Sequence, residues 1–573
     1  MKLMARTLLL ALLMGLIVSS TLAQDAEKIE SYQLWLGTHI NGFDDYSKKV
    51  GEYRYFDENL LPSAYFRYRS LGPESFFELK ANYQDKENGF GSFSVRNSDR
   101  LTAKVRFRSQ TRQLGQDLLE NLEAREWLGS NPGGKILTHE ILDPDADYNY
   151  ARREVLSELN VLMSRKHNIR FIAAHRTIVK EGREQSISNN HCFSCHIESN
   201  GLDIQQQTNQ IELGVKGEAG SVEAGYTFGY RLYESELADG SGLYDEARHP
   251  VNGGSGAEFS SRVSFDDTIA VINAEPKTEK LSHKLKLTGD LGKGRWAGSV
   301  TYNRAENQNT NLVAKTWVGA VRYAVPISTR TRLIAKASGM DISADDPFID
   351  LPNWRDGRSG DPISFDFIRY SSLDRMEWRG SAELIHKLNR KATVSFLAGY
   401  KKTDRDDYPI VGDGISTGKF TGQAKLRYRH SLKASGSLKY KYEKTSDPFT
   451  SGRGLFEADG SQQLVQLDDS VNFIFYFQRE ALRYQNITTV PTDYHEIDAR
   501  STLRPSNKTS INLGLRLVTD KNGDLDSLDV EHFRLTPNVS FSVIPSQNWT
   551  FTSGYTLNHF KSRGPVTVAL FDG

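Results

Sequence analysis

The chain has 573 residues, 38% of them hydrophobic, with 72 Lys plus Arg against 72 Asp plus Glu. A formal net charge of zero removes the electrostatic reason to expect nucleic acid as a partner, and so low an apolar share argues against a membrane protein of helical type. The 25 Tyr and 28 Phe, set against 6 Met, suit a β-rich chain whose strand positions are half apolar and half polar.

Residues 1–23 read as a secretory signal. Lys2 and Arg6 make a positive start, 8–18 an apolar stretch, and Thr21-Leu22-Ala23 a small-residue cleavage site. The apolar stretch is too short to span a bilayer, and nothing after it approaches the ~20 apolar residues a membrane helix needs. No cysteine stands at the cleavage site, which argues against a lipoprotein anchor. The mature region, 24–573, is expected to be exported. Leu114, Leu118 and Leu122 recur every four residues within 113–127, and this period predicts a short helix, in a loop rather than as part of a plug.

The chain's only two cysteines fall in Cys192-Phe193-Ser194-Cys195-His196. C-x-x-C-H is the pattern of covalent c-type haem attachment. Cys192 and Cys195 would carry the thioethers of one haem c, and His196 would be the proximal iron ligand. His191 lies too close to reach the opposite haem face. Upstream candidates for the sixth position are His175, in the strand expected at 168–178, and His167, Met163 and His139. Two other chemistries suit the pair. A Cys-x-x-Cys disulfide fits an oxidising compartment, whereas a zinc site needs two further ligands of recognisable spacing. The polar stretch 186–206 is expected to be a haem-attachment loop between strands.

Downstream, alternation is the rule. Leu281, Leu285 and Leu287 oppose Ser282, Lys284 and Lys286; Trp296, Gly298, Val300 and Tyr302 oppose Arg295, Ser299 and Thr301. A polar, Asp-rich loop is expected at 341–361. Val394, Phe396, Ala398 and Tyr400 then face away from Thr393 and Ser395, and the acidic cluster 404–407 reads as a solvated loop. In 419–429, Phe420, Gly422, Ala424, Leu426 and Tyr428 oppose Lys419, Thr421, Gln423, Lys425, Arg427 and Arg429. After a turn at His430-Ser431 the pattern resumes from Leu432 to Glu443. It returns at 510–517, before a turn at 521–524, and at 549–557. Side chains alternate across a strand, so each segment has one apolar and one polar face, and such segments joined by tight turns make antiparallel hairpins.

Runs of ten or more residues exceed the usual soluble strand and suit the ~9–11 residues of a tilted membrane crossing. Short turns alternate with long loops, and aromatics gather near strand ends. The expected fold is therefore all-β, a large antiparallel transmembrane barrel in the outer membrane of a Gram-negative cell, in contact with its lipid. About 550 mature residues, at one strand and connection per two dozen, give roughly 22–26 strands. Side chains cannot fill so wide a lumen. The lysine-rich faces within 419–441 would line it.

A signal sequence, a large barrel of Lys- and Tyr-rich strands and a Cys-x-x-Cys element together resemble the MtrB/PioB-like outer-membrane porins. The likeness covers most of the mature chain as pattern and the cysteine motif as its one discrete signature. It implies a barrel that sheathes a multihaem c-type cytochrome for electron transfer across the membrane. In familiar members the cysteines lie near the mature N-terminus without a following His; here they lie at 192 and 195, and His196 completes a haem site. Barrels of this kind commonly finish on an aromatic, whereas here Phe571 precedes Asp572-Gly573; either that signal is relaxed or the chain continues. The alternative function is a diffusion porin in which Cys192 and Cys195 form a structural disulfide. No nucleophile elbow, phosphate loop or metalloprotease helix occurs, so an enzyme is not expected.

Overall fold

The computed structural model describes residues 28–40, 60–85, 87–119, 138–189, 196–235, 240–244, 268–273, 275–349, 354–355, 362–363, 367–369, 373–405, 416–448, 456–458, 464–468, 471–474, 490–522, 530–546 and 549–564. The signal-sequence segment, the residues 190–195 and the C-terminal 565–573 lie outside them.

In the first half the strands are β1 (Ile29–Ile40), β2 (Leu60–Leu71), β3 (Ser75–Tyr83), β4 (Gly89–Asn97), β5 (Leu101–Gln113) and β6 (Thr138–Ile141). They continue as β7 (Asn149–Ser164), β8 (Ile169–Asn189), β9 (His196–Ala219) and β10 (Val222–Ser235). A short loop pair, β11 (Gly240–Tyr244) and β12 (Thr268–Asn273), precedes β13 (Thr278–Leu291), β14 (Gly294–Asn307), β15 (Val313–Pro326) and β16 (Thr331–Ala344). Four short strands follow: β17 (Phe348–Ile349), β18 (Trp354–Arg355), β19 (Pro362–Ile363) and β20 (Phe367–Arg369). Next come β21 (Arg375–Lys387), β22 (Ala392–Asp404), β23 (Ser416–Arg429) and β24 (Ala434–Ser446), then short β25 (Phe456–Ala458), β26 (Leu464–Asp468) and β27 (Val471–Ile474). The last are β28 (Asp493–Ser506), β29 (Thr509–Asn522), β30 (Val530–Ser546), β31 (Trp549–Thr556) and β32 (His559–Arg563).

The long strands join in one 23-stranded sheet, within the expected range. Each pairs antiparallel with its neighbour in sequence, leaving aside the loop strands. β31 and β32 both pair with β30 and form one interrupted course. The exception is β6, which runs parallel to the start of β9. Among the described residues, β1 and the last course are not paired with each other.

Connections at one end of the sheet are tight: 72–74, 98–100, 165–168, 220–221, 292–293, 327–330, 388–391, 430–433 and 507–508. Gly220 and Gly292 adopt φ of 62° and 60° at the first position of their two-residue turns, the left-handed backbone that the primed hairpin turns demand. The opposite end carries the long connections, 41–59, 114–148, 236–277, 345–374 and 447–492, together with five-residue turns at 84–88 and 308–312. This is the turn asymmetry expected from the sequence.

The two faces of the sheet are inverted relative to a soluble protein. Leu285, Val300, Trp317, Trp378 and Phe396 are between 42% and 54% exposed, while Glu78, Glu496 and Asp498 are only 6–8% exposed. On the apolar face, aromatics stand at two levels. Trp296 on β14 and Tyr323 on β15 flank the tight-turn end, the Tyr323 hydroxyl donating to the Leu291 carbonyl at 3.0 Å. Tyr302 and Trp317, with ring centroids 4.6 Å apart, mark the other level. Six residues separate the levels on each strand, about 20 Å at ~3.4 Å per residue, and aliphatic side chains such as Val300 and Val321 fill the interval. This is the girdled apolar band of an outer-membrane barrel wall.

The polar face is held by acids clamped between two cations, at least one of them on a neighbouring strand. Glu443 meets Lys419 at 3.0 Å and Lys441 at 2.9 Å; Glu496 meets Lys439 at 2.8 Å and Arg516 at 3.1 Å. Glu377 does the same with Arg379 and Lys401, and Glu78 with Arg67 and Lys80. Lys425 lies directly across from Lys439 in the β23–β24 register, so this part of the wall carries surplus positive charge.

Three expectations need correction. The leucine period at 113–127 does not make a helix where it is described: Gln113 ends β5 and 114–119 is irregular. Leu114 N–H donates to the Tyr148 carbonyl at 2.7 Å, and Asp117 is tied to β8, so tertiary pairing overrides the local period. Within the expected loop 186–206, the described residues are strand: β8 runs to Asn189 and β9 starts at His196. The expected loop at 341–361 begins later, since β16 continues to Ala344.

Candidate functional site

The cysteine motif connects the far ends of β8 and β9, the longest strands of the sheet. β7 leaves β8 at the Asn149–Arg183 pair, and β10 leaves β9 at the Ser235–Gln206 pair. Beyond them the two strands continue alone, from Glu184 paired with Leu202 to Asn189 paired with Ile197. This overhang is about 20 Å long at ~3.4 Å per residue. A free two-stranded ribbon is marginal by itself, and here it is braced.

The brace comes from the connection between β5 and β7. β6 lies parallel along β9, with Thr138 beside His196 and Ile141 beside Ser199, and Leu142 N–H donates to the Ser199 carbonyl at 3.0 Å. On the other strand, the Gln185 amide accepts from Asp117 N–H at 2.7 Å through Oε1. Its Nε2 donates to the Asp117 carbonyl at 2.8 Å and to Ser199 Oγ at 2.6 Å. One side chain thus imitates a strand residue and locks three segments together. Arg183 Nη1 meets Asp143 Oδ2 at 2.7 Å, and Gln116 Nε2 donates to the Asp143 carbonyl at 2.8 Å.

Beneath these bonds sits a small core of Leu119, Tyr148, Ser199 and Ile204, each at most 5% exposed. Burial, with the nearby Asp143 carboxylate, pushes the Tyr148 phenol above its usual range, so it stays neutral. Glycine is required at one point: a Cβ on Gly182 would collide with the Asn149 carbonyl oxygen where β7 departs, whereas one on Gly201 would only displace the Arg183 guanidinium.

Gln185 is the joint of this assembly. Gln185→Ala leaves the Asp117 amide without its partner and is expected to cost about 1–3 kcal/mol locally. The measurement is limited proteolysis of the detergent-solubilised protein, with faster cleavage in 114–148 and unchanged protection of the main sheet.

The sixth-ligand candidates are placed as follows. His175 is level with Ile211, so residues 197–210 of β9 separate it from His196, about 50 Å at ~3.3 Å per residue. It shares the apolar face with Ile211 and bonds Thr177 Oγ1 at 3.2 Å. It cannot serve the same iron as His196, and that expectation is corrected. His167 and Met163 lie farther still, at the tight turn between β7 and β8. His139 alone is brought to the motif, beside Ile197 in the parallel pairing. No sequence signal indicated this: β6 is four residues long and its partner is remote. Among the described residues, no group of His, Cys, Asp and Glu forms a metal site.

No protein-family profile matches this chain, and no curated protein matches it in sequence. Among solved structures it is similar in outline to the copper transporter OprC, at 9% identity and a TM-score of 0.48, over 93% of this chain and 74% of that one. The siderophore receptor PirA from Acinetobacter baumannii is similar at 8% identity and 0.49, over 92% and 76%. The FrpB iron transporter from Neisseria meningitidis is similar at 8% and 0.46, over 95% and 78%. At such values the copper and iron cargo of those proteins gives no guide to the chemistry of this chain.

Proposed function

We propose that this protein is an outer-membrane β-barrel that carries one covalent c-type haem and serves as a component of a porin–cytochrome electron-transfer conduit. The observation that carries the barrel reading is the inverted sheet: exposed leucine and tryptophan on one face, clamped glutamate and lysine on the other. A bilayer accepts only strands whose backbone groups are paired in a closed wall, so the reading requires the sheet to close. The secretory signal at 1–23 supports the same location.

The haem reading rests on donor chemistry. Two thiols three residues apart, followed by an imidazole, match the attachment pattern, and the chain has no other cysteine to compete for them. Cys192 and Cys195 would hold the macrocycle and His196 its iron. Bound there, the haem would supply one-electron exchange. The chain's own part is to hold the site on a braced arm. A single haem at one end does not cross an apolar band about 25 Å tall, so the conduit reading includes a multihaem cytochrome in the lumen. Resemblance to the MtrB/PioB-like porins supports that partner, and the surplus cations around Lys425 and Lys439 offer it, or haem propionates, a complementary wall.

The test is a pyridine haemochrome spectrum of purified, denatured protein beside a Cys192→Ala, Cys195→Ala double variant. The expected result is one c-type haem per chain, absent from the variant. A colourless wild type with open conductance in planar bilayers would support the diffusion porin, with the cysteines as a disulfide.

A further inference from the structure

We infer that the lumen of this barrel is an anion-selective path, and that unpaired lysines and arginines on the polar face of its wall set the preference. The inference rests on the barrel reading and is independent of any haem. The chain's net charge of zero conceals how its charges are distributed. Lys284 and Lys286 on β13 lie across from Thr301 and Ser299 on the polar face of β14. Arg322 on β15 and Lys336 on β16 share that face and stand directly opposite each other. All four are exposed, and among the described residues none of their side chains has an ion-pair partner. Asp290 is the only acid among the described residues on that face of the four strands, and it stands at the tight-turn end opposite Arg295. On the flanking strands the nearest acids in register are Glu223 and Glu383, and neither pairs with these cations.

Cross-strand register adds to this. Like charges directly opposite destabilise a sheet, yet cations face each other at Arg322–Lys336, Arg231–Lys280 and Lys425–Lys439. Glu496 relieves the third pair through Lys439. The first two have no acid partner among the described residues. Where the wall uses charge for its own cohesion, it clamps an acid between cations, as at Glu443 and Glu377. The band on β13–β16 lacks that device, so folding does not account for its cations. A wall lined by one sign of charge raises the local concentration of the opposite ion, and Arg and Lys are the side chains that line anion pores. In a lumen too wide for side chains to fill, the field reaches inward over about one Debye length, ~10 Å at 0.1 M salt and ~30 Å at 0.01 M. The preference is therefore strong in dilute salt and fades in concentrated salt.

The test is the zero-current potential of the purified chain in planar bilayers under a KCl gradient. The expected result is chloride preferred over potassium by about threefold or more in dilute salt, falling toward parity near 1 M. A variant carrying Lys284→Gln, Lys286→Gln, Arg322→Gln and Lys336→Gln should lose most of that preference. Its counterpart with Lys284→Arg, Lys286→Arg, Arg322→Lys and Lys336→Arg should keep it. A wild type that prefers potassium, or shows no preference in dilute salt, overturns the inference, as does an inserted chain that passes no current. A glutamine variant as selective as the wild type overturns the assignment to these four residues. Should that variant fail to insert, the sign and salt dependence of the wild type still decide. The haemochrome result does not enter: a colourless protein that prefers chloride loses the haem and keeps this inference, and a haem-bearing, unselective one does the reverse. A wild type that never inserts into lipid sinks the barrel reading and this inference with it.

Discussion

Val300→Arg is expected to prevent stable insertion of the protein into lipid. Val300 is 46% exposed and sits between Trp296 and Tyr302 on the apolar face of β14. In a soluble protein, arginine at so exposed a strand position would change stability by about half a kcal/mol at most. In a barrel wall the same side chain meets hydrocarbon, and a charge near the bilayer midplane costs about 2–4 kcal/mol. Refolding into phosphatidylcholine vesicles, followed by urea titration, reads the difference directly. A Ser299→Arg variant, one residue along and therefore on the polar face, is the control. A large loss for Val300→Arg with a small one for Ser299→Arg confirms the inverted sheet; equal small losses would contradict it.

The second large effect is expected at Glu496. Its carboxylate is 6% exposed, accepts from Lys439 Nζ and Arg516 Nε, and also receives the Tyr494 hydroxyl at 3.0 Å. Glu496→Ala removes the acid clamped between these cations and leaves Asp498, level with Lys439 and Arg516 in the register, as the remaining carboxylate beside the Lys425–Lys439 pair. Breaking a buried pair from one side costs about 3–5 kcal/mol. Arg516 is partly in solvent, which places the expected loss near the lower figure or under it, about 2–3 kcal/mol. Glu496→Gln keeps the hydrogen-bond geometry and loses the charge, so it separates the two contributions. Raising ionic strength should recover part of the loss in both variants, because screening acts on the uncovered cations.

Much of the wall was legible in the chain. A strand with two chemically distinct faces writes its period of two into the sequence, and 419–429, 295–302 and 510–517 each fall inside an observed strand. Tight turns were legible where glycine or a short polar pair interrupts the period. What was missed depends on contacts between distant segments. The leucines of 113–127 carry a helical period, yet Leu114 and Asp117 bond to Tyr148 and Gln185, partners no local window contains. The run 196–206 looked like a loop because it is largely polar, yet Ser199 and Ile204 within it are buried beneath the brace. At the site, the cysteine motif was plain, but its ligand geometry was not. His175 has the composition of a ligand and the wrong register, while His139 has the register through a four-residue strand too short to read.

The same topology sets an order of assembly. In almost all of the sheet each strand needs only its neighbour in sequence, so hairpins close over short loops at little entropic cost. β6 is different. It reaches β9 only after the whole β7–β8 hairpin has formed and β9 has folded back along it, so its pairing is among the late events in that region. Until then the start of β9, from His196 to Ser199, has no parallel strand beside it. The brace is thus the last part of the arm to set, and the main sheet does not wait for it. A protein with β6 deleted should therefore complete the main sheet and stay open to protease within 196–204.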